Sequence, residues 1–126
     1  MANILLVDDE EEILMVYKKK LERSGFKVFT ASNGEEAIAL AKSQHPDLMI
    51  MDMKMPVMDG ITAQQKIREL PELKGLKVVF LTAFSDPMKL EIDEDVAKQV
   101  GAVGFIRKGI DLDELVVKVK GYLDQV

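Results

Sequence analysis

A short apolar run, a turn and an amphipathic stretch recur about every 25 residues along this chain, and that alternation admits few folds. The apolar runs are Ile4 to Val7, Lys27 to Ala31, Leu48 to Met51, Val78 to Leu81 and Val103 to Ile106. The first, third and fourth are nearly unbroken in apolar residues, as expected of strands covered on both faces. The second carries polar residues and reads as an edge strand.

The stretches between them have helical periodicity. Ile13, Leu14, Tyr17 and Leu21 share a face, and Gly25 follows as a stop. Asn33-Gly34 opens a second helix carrying Ala37, Ile38 and Ala41. A third runs from about Gly60 to Leu70, before Pro71. A fourth starts at Ser85 or Asp86, with Pro87 in its first turn, and ends near Gly101. In the last, Asp111 is the N-cap, Glu114 follows three residues on, and Leu112, Leu115, Val116 and Val119 line the buried face. Strictly alternating strands and helices predict an α/β fold, a parallel sheet with helices on both faces. Right-handed crossovers and five strands favour the doubly wound, flavodoxin-like order 2-1-3-4-5.

The 126 residues suit one domain, 1–126. Without cysteine, disulfides and thiolate metal sites are excluded, which fits a reducing, cytoplasmic setting. The N-terminus has four apolar residues before Asp8-Asp9 and no basic start, so neither a signal peptide nor a membrane span is expected. A net charge of −5 argues against direct DNA binding. The basic block Lys18-Lys19-Lys20 is expected to be the wet face of a helix.

In such a sheet ligands sit beyond the carboxyl ends of the strands, near the switch point between strands 1 and 3. Strand 1 delivers Asp8-Asp9 there, strand 3 Asp52, strand 4 Thr82, and strand 5 runs into Lys108. Singly, each is ordinary: a strand-end Asp is often a turn former or cap. Together they bring three carboxylates, a hydroxyl and an ammonium to one place, while the edge strand delivers nothing reactive. Crowded carboxylates repel one another and tend to hold protons. A hard divalent cation relieves that, and Mg²⁺ prefers oxygen ligands and bridges to phosphate. A carboxylate also accepts phosphoryl groups covalently. Asp52 is the natural nucleophile, with Asp8 and Asp9 as metal holders. Lys108 can neutralise charge on the equatorial oxygens, and the Thr82 hydroxyl can bond a phosphoryl oxygen.

At these residues the chain resembles the receiver domain of two-component response regulators, over nearly its whole length. The marks are Leu6-Val7-Asp8-Asp9-Glu10, the run from Asp52-Met53-Lys54 to Met58-Asp59-Gly60, Leu81-Thr82-Ala83, and Gly101-Ala102 followed by Phe105-Ile106-Arg107-Lys108. The resemblance implies that Asp52 accepts phosphate from the phosphohistidine of a histidine kinase or phosphotransfer protein. It implies Mg²⁺ (or Mn²⁺) on Asp8, Asp9, Asp52 and the backbone carbonyl of Lys54, with Lys108 bonding the phosphoryl group. Thr82 and Phe105 become switch residues, the hydroxyl moving toward phosphate and the ring turning inward. The face made by the fourth helix, the fifth strand and the last helix then reads out the state to a downstream protein. No enzyme in the ordinary sense is implied, although receivers promote their own phosphorylation and slow autodephosphorylation. A monomer or weak homodimer is expected, and the ends of the sequence suggest a stand-alone regulator.

The chain departs from the family pattern in three places. Most receivers have proline after the lysine, with a cis bond; Gly109 stands here, and a cis bond before a non-proline residue costs about 3 kcal/mol. The stretch from Thr82 to Lys108 is about four residues longer than is common, by resemblance, and holds the acidic run Glu91-Ile92-Asp93-Glu94-Asp95. Lys54 occupies a variable position beside the path of attacking water and, with Phe84, falls where the lifetime of the phosphorylated state is tuned. A long cation there is expected to pair with the phosphoryl group and prolong that state. An unchanged dephosphorylation rate in Lys54→Asn would sink this idea.

Other residues are ordinary. Five methionines between Met49 and Met58 are gap fillers, His45 is an exposed loop residue, and Pro56 and Gly60 shape the loop after Asp52. Three rivals stay open. A flavin-binding flavodoxin would need a hydroxyl- and glycine-rich phosphate loop after strand 1. A haloacid-dehalogenase-type phosphatase would put its nucleophile on the first strand. A phosphate-independent interaction module would keep the fold alone.

Overall fold

The computed structural model describes residues 2–53, 55, 57–83, 95 and 98–125. Five strands, β1 (Asn3–Val7), β2 (Lys27–Ala31), β3 (Leu48–Asp52), β4 (Lys77–Thr82) and β5 (Gly104–Arg107), form one sheet in the order β2-β1-β3-β4-β5. Every neighbouring pair is parallel. Helices α1 (Glu11–Arg23), α2 (Gly34–Gln44), α3 (Gly60–Glu69) and α4 (Leu112–Asp124) connect or follow the strands, with a 3₁₀ turn at Pro71–Leu73. This is the α/β order that the alternation predicts. Residues 95 and 98–99 are helical. The expected cap at Ser85, Asp86 and Pro87 and the acidic residues 91–94 lie outside the described residues.

The sheet separates two apolar layers. On one face Leu5, Val7, Met49, Met51 and Phe80 meet Ala37 and Ala41 of α2 and Ala63 and Ile67 of α3. On the other, Ile4, Leu6, Ile50, Leu81 and Ile106 meet Tyr17 and Leu21 of α1 and Leu115 and Val119 of α4. Strands β1, β3 and β4 face both layers, so their apolar runs are continuous. Edge strand β2 alternates less cleanly and leaves Lys27 exposed. Met49, Met51 and Met53 are buried and fill this interior, as expected, while Met55 and Met58 are half-buried.

Local chemistry sets the helix ends. The Asn33 side chain accepts from the Glu36 N–H at 3.0 Å. Glu36 reaches back to the Ser32 N–H and hydroxyl, at 3.0 and 3.1 Å, a reciprocal cap. Asp59 caps α3 by accepting from the Thr62 N–H at 2.7 Å. Asp111 caps α4 by accepting from the Asp113 and Glu114 N–H groups. His45 is exposed, with φ 47°, and closes α2 through its N–H to the Ala41 carbonyl.

Two expectations need correction. The fifth strand starts at Gly104, because Val103 turns outward, and it continues through Arg107, which pairs with Thr82. Strands β3 and β4 end on Asp52 and Thr82, as expected. The basic block is not wholly a wet face: Lys20 bonds Asp113 at 2.6 Å and ties α1 to α4.

The C-terminal helix is anchored to the sheet at two points. The Lys77 ammonium donates to the Tyr122 and Leu123 carbonyls at 3.0 Å and to that of Gln125, where a cation suits the helix dipole. The Tyr122 hydroxyl donates to the Phe105 carbonyl at 3.2 Å. Its ring occupies the space that a side chain at Gly104 would fill.

Candidate functional site

The carboxyl ends of β1, β3, β4 and β5 converge on one acidic pocket. Asp8 follows β1 directly, and its N–H still pairs with the Ala31 carbonyl at 3.1 Å, so the chain leaves the sheet in register. Asp52 is the last residue of the central strand β3, and Thr82 is the last of β4. Lys108 follows β5, its N–H held by the Thr82 carbonyl at 2.8 Å. Beyond Asp52 the chain passes under the start of α3, where the Gly60 N–H bonds the Met53 carbonyl at 2.9 Å.

Carboxylate oxygens of Asp8, Asp9 and Asp52 lie within 4.8 Å of one another. Asp8 and Asp52 are buried and Asp9 is exposed. The Lys108 ammonium sits among them, 3.0 Å from Asp8 Oδ2 and 3.1 Å from Asp52 Oδ2. It also lies 3.0 Å from Glu10 at the mouth of the pocket. The contact to Asp8 Oδ2 is an ion pair whose angles are poor for a hydrogen bond. Asp8 Oδ1 accepts the Glu10 N–H at 2.9 Å.

Burial pushes the Asp8 carboxyl above its ordinary value, against the opposing pull of the Glu10 N–H and of Lys108. Burial alone would lower the Lys108 ammonium, but its close contacts with Asp8, Glu10 and Asp52 outweigh that and hold it above the usual lysine range. Both directions are consistent, because one cation is shared among three carboxylates and cannot neutralise all of them. Asp9 adds a further acidic side chain within 4.8 Å of Asp8 and Asp52, so among the described residues the pocket carries more negative charge than one lysine balances. A divalent cation would relieve it, and hard carboxylate oxygens are the donors that Mg²⁺ prefers. The residues present therefore fit that ion.

Of the residues expected from the sequence, the structure brings Asp8, Asp9, Asp52, Thr82 and Lys108 together. The Thr82 hydroxyl is buried, with no hydrogen-bond partner among the described residues. Phe105 is half-buried beside the α2/α3 layer, opposite Phe80 in the ladder. Lys54, Phe84 and Pro56 lie outside the described residues. No cis peptide bond occurs among the described residues, and Gly109 has φ 88°, so the turn after Lys108 is built on a left-handed glycine. Glu10 was not singled out from sequence as a partner of Lys108. Its place after Asp8-Asp9 was a usable signal, since it leaves the same strand end.

The fold and this pocket define a receiver domain. A family model described as "Response regulator receiver domain" matches residues 4–120, and the chain belongs to that family, the receivers of two-component signalling. It is 29% identical over 121 residues to the polar-differentiation response regulator DivK of Brucella ovis, covering 96% of this chain and 95% of that protein. It is 36% identical over 120 residues to the alkaline phosphatase synthesis transcriptional regulatory protein PhoP of Bacillus subtilis. The match covers 95% of this chain and spans about half of that relative, 48% of its length. The solved structure of chemotaxis response regulator CheY4 of Vibrio cholerae superposes with a TM-score of 0.86 at 31% identity, covering 97% and 98% of the two chains. No helix among the described residues is long and apolar enough to cross a membrane.

Proposed function

We propose that this chain is a phosphoacceptor. It takes a phosphoryl group from the phosphohistidine of a histidine kinase or phosphotransfer protein onto Asp52. The observation that carries this reading is the convergence of Asp8, Asp9 and Asp52 within 4.8 Å, with the Lys108 ammonium 3.1 Å from Asp52. A carboxylate oxygen of Asp52 forms the new bond to phosphorus. The P–N bond to the donor imidazole breaks, and the leaving nitrogen keeps the electron pair and takes a proton. Lys108 is placed to offset charge on the transferred oxygens, where a preset cation favours the transition state. Asp8 and Asp9, with Asp52 and the Lys54 carbonyl, are assigned to Mg²⁺ (Mn²⁺ can substitute); bound there, the ion supplies neutralisation of the anionic donor and acceptor.

The buried Thr82 hydroxyl has no partner among the described residues, and a phosphoryl oxygen would supply one. That change is communicated through Phe105, two places along the ladder. A groove of about 470 Å³ opens beside it, lined by Phe105, Arg107, Lys108, Ile110, Glu114 and Lys118. We assign output to this face, formed by β5, α4 and the segment before β5, through contact with a downstream protein. Residues 1–126 act as one receiver, and the chain sheds its phosphate slowly by its own chemistry.

The test is intact mass spectrometry after incubation with acetyl phosphate and Mg²⁺. One added phosphoryl group is expected on the wild type. It should be absent in Asp52→Asn and after metal chelation. A folded wild type that gains no mass under rapid quench overturns the reading and leaves a phosphate-independent interaction module.

A further inference from the structure

Helices α2, α3 and α4 open with a capped first turn, and α1 does not. The Asn33, Asp59 and Asp111 side chains each accept an N–H of their own helix. Glu10 holds the equivalent place before α1, with φ −88° and ψ 110°, and its side chain makes no cap bond. The carboxylate turns to the pocket instead and accepts from the Lys108 ammonium at 3.0 Å. The backbone beneath it is held on both sides. Its N–H donates to Asp8 Oδ1 at 2.9 Å, and its carbonyl accepts the Leu14 N–H at 3.2 Å. The reach to Lys108 is therefore made by the side chain alone.

An ammonium carries three N–H donors. Lys108 already faces three carboxylates, Asp8, Glu10 and Asp52, at 3.0, 3.0 and 3.1 Å. A phosphoryl oxygen on Asp52 needs one of those directions. The three partners are not equally easy to leave. The Asp8 side chain is fully buried and that of Asp52 is 8% exposed, and a carboxylate stranded there is costly. The Glu10 side chain is 59% exposed, so water takes up its carboxylate at little cost. Glu10 is the partner that Lys108 can exchange.

We propose that Glu10 is a positioning residue that holds the Lys108 ammonium toward the mouth of the pocket in the resting state and yields it to the phosphoryl group. This inference rests on the phosphoacceptor reading. The contact between Glu10 and Lys108 is made before transfer and given up during it. It stabilises the resting form and not the transition state, and only a difference between those two changes a rate. Loss of a residue that merely supports the fold slows a positioned reaction. Loss of Glu10 should speed this one.

The test compares wild type with Glu10→Asp and Glu10→Gln. Aspartate keeps the negative charge at the mouth but is shorter by one carbon–carbon bond, about 1.5 Å. It also suits an N-cap, which turns it toward the first turn of α1. Glutamine keeps the reach and removes the charge. Melting curves check that both variants fold. Two quantities are then read: the rate of mass gain with acetyl phosphate and Mg²⁺, and the affinity for beryllofluoride with Mg²⁺, a phosphoryl mimic, by fluorine NMR. Glu10→Asp should gain phosphate about two- to fivefold faster than wild type and bind beryllofluoride more tightly by a similar factor, the size expected of one largely exposed ion pair. Glu10→Gln should be faster as well, since it also repels the anionic donor less. A Glu10→Asp variant that is no faster, or that binds beryllofluoride no more tightly, overturns the role of Glu10 even where Glu10→Gln is faster, because charge at the mouth alone then accounts for the gain. A wild type that takes no phosphate overturns the phosphoacceptor reading and this inference with it.

Discussion

Lys108→Met is expected to unfold more readily than wild type at pH 7 without metal, by about 3 kcal/mol, and to recover much of that deficit in acid. Methionine keeps the length of the stem and removes the charge. The Lys108 side chain is 12% exposed, and its ammonium lies 3.0 to 3.1 Å from Asp8, Glu10 and Asp52. Its loss leaves Asp8 and Asp52 buried against each other, with Asp9 and Glu10 adding to the repulsion. Breaking a buried pair from one side costs more than the pair itself contributes, because the remaining charge is stranded.

The sign of the pH effect follows from Asp8. Burial raises its folded value above the ordinary 3.8, so the folded chain binds that proton more tightly than the unfolded chain. Stability from this group is greatest below the unfolded value and falls as pH rises through the folded one. Lys108 opposes that rise, so removing it pushes Asp8 higher and widens the window upward. The deficit of Lys108→Met should therefore be largest near neutrality and shrink as pH falls toward about 5. Lys108 itself titrates only in alkali, and its own contribution is intact below its ordinary 10.5. Melting both proteins at the two pH values and comparing the differences cancels carboxylates common to both. A deficit of the same size at both would mean that stranded carboxylates are not its cause.

The sheet was legible because physical causes of strand formation leave a mark in sequence. Strands β1, β3 and β4 face two apolar layers, so Ile4 to Val7, Leu48 to Met51 and Val78 to Leu81 are unbroken apolar runs. Their polar last residues were legible as strand ends too: Asp52 and Thr82 close β3 and β4, and the ladder pairs them with Leu81 and Arg107. Backbone pairing is indifferent to side-chain polarity, and the polar ends are where the chemistry sits. Caps by Asn33 and Asp111 were legible because they act within one turn. The anchoring of α4 by Lys77, 45 residues from Tyr122 in sequence, leaves no local mark.

The same distinction divides the site. Asp8, Asp9, Asp52, Thr82 and Lys108 could be gathered from strand ends alone, because topology brings those ends together. Glu10 could be read only in part, since its strand end is visible in the sequence but its reach to Lys108, 3.0 Å away, is not. The trans-built glycine turn after Lys108 was foreshadowed by the missing proline, and φ at Gly109 supplies the geometry that the sequence lacked.

Gly60→Ala is expected to damage both stability and chemistry, although alanine is ordinarily the better helix former by about 1 kcal/mol. Gly60 opens α3 and is buried. Its backbone does not need glycine for conformational freedom; it needs glycine for space. A methyl group there would lie 2.2 Å from the Asp52 carbonyl oxygen and 3.0 Å from the Met53 Cα. Both are backbone atoms, so no rotamer change relieves the contact. Either α3 moves away from β3, or the peptide between Asp52 and Met53 shifts. Overpacking of this kind costs about 1–3 kcal/mol, and the upper end is expected because the helix entry is also held by the Gly60 N–H to the Met53 carbonyl. Displacing Asp52 moves the carboxylate away from Lys108, and misplacement by about 1 Å can slow a positioned reaction about a hundredfold. Gly121→Ala is the control: it lies within α4, with nothing within 4 Å of the new methyl group. It should stabilise the chain by about 0.5–1 kcal/mol and leave phosphorylation unchanged. Urea unfolding and the rate of mass gain with acetyl phosphate measure both effects. If Gly60→Ala gained stability as Gly121→Ala does and kept the wild-type rate, close approach of α3 to Asp52 would not be what shapes this site.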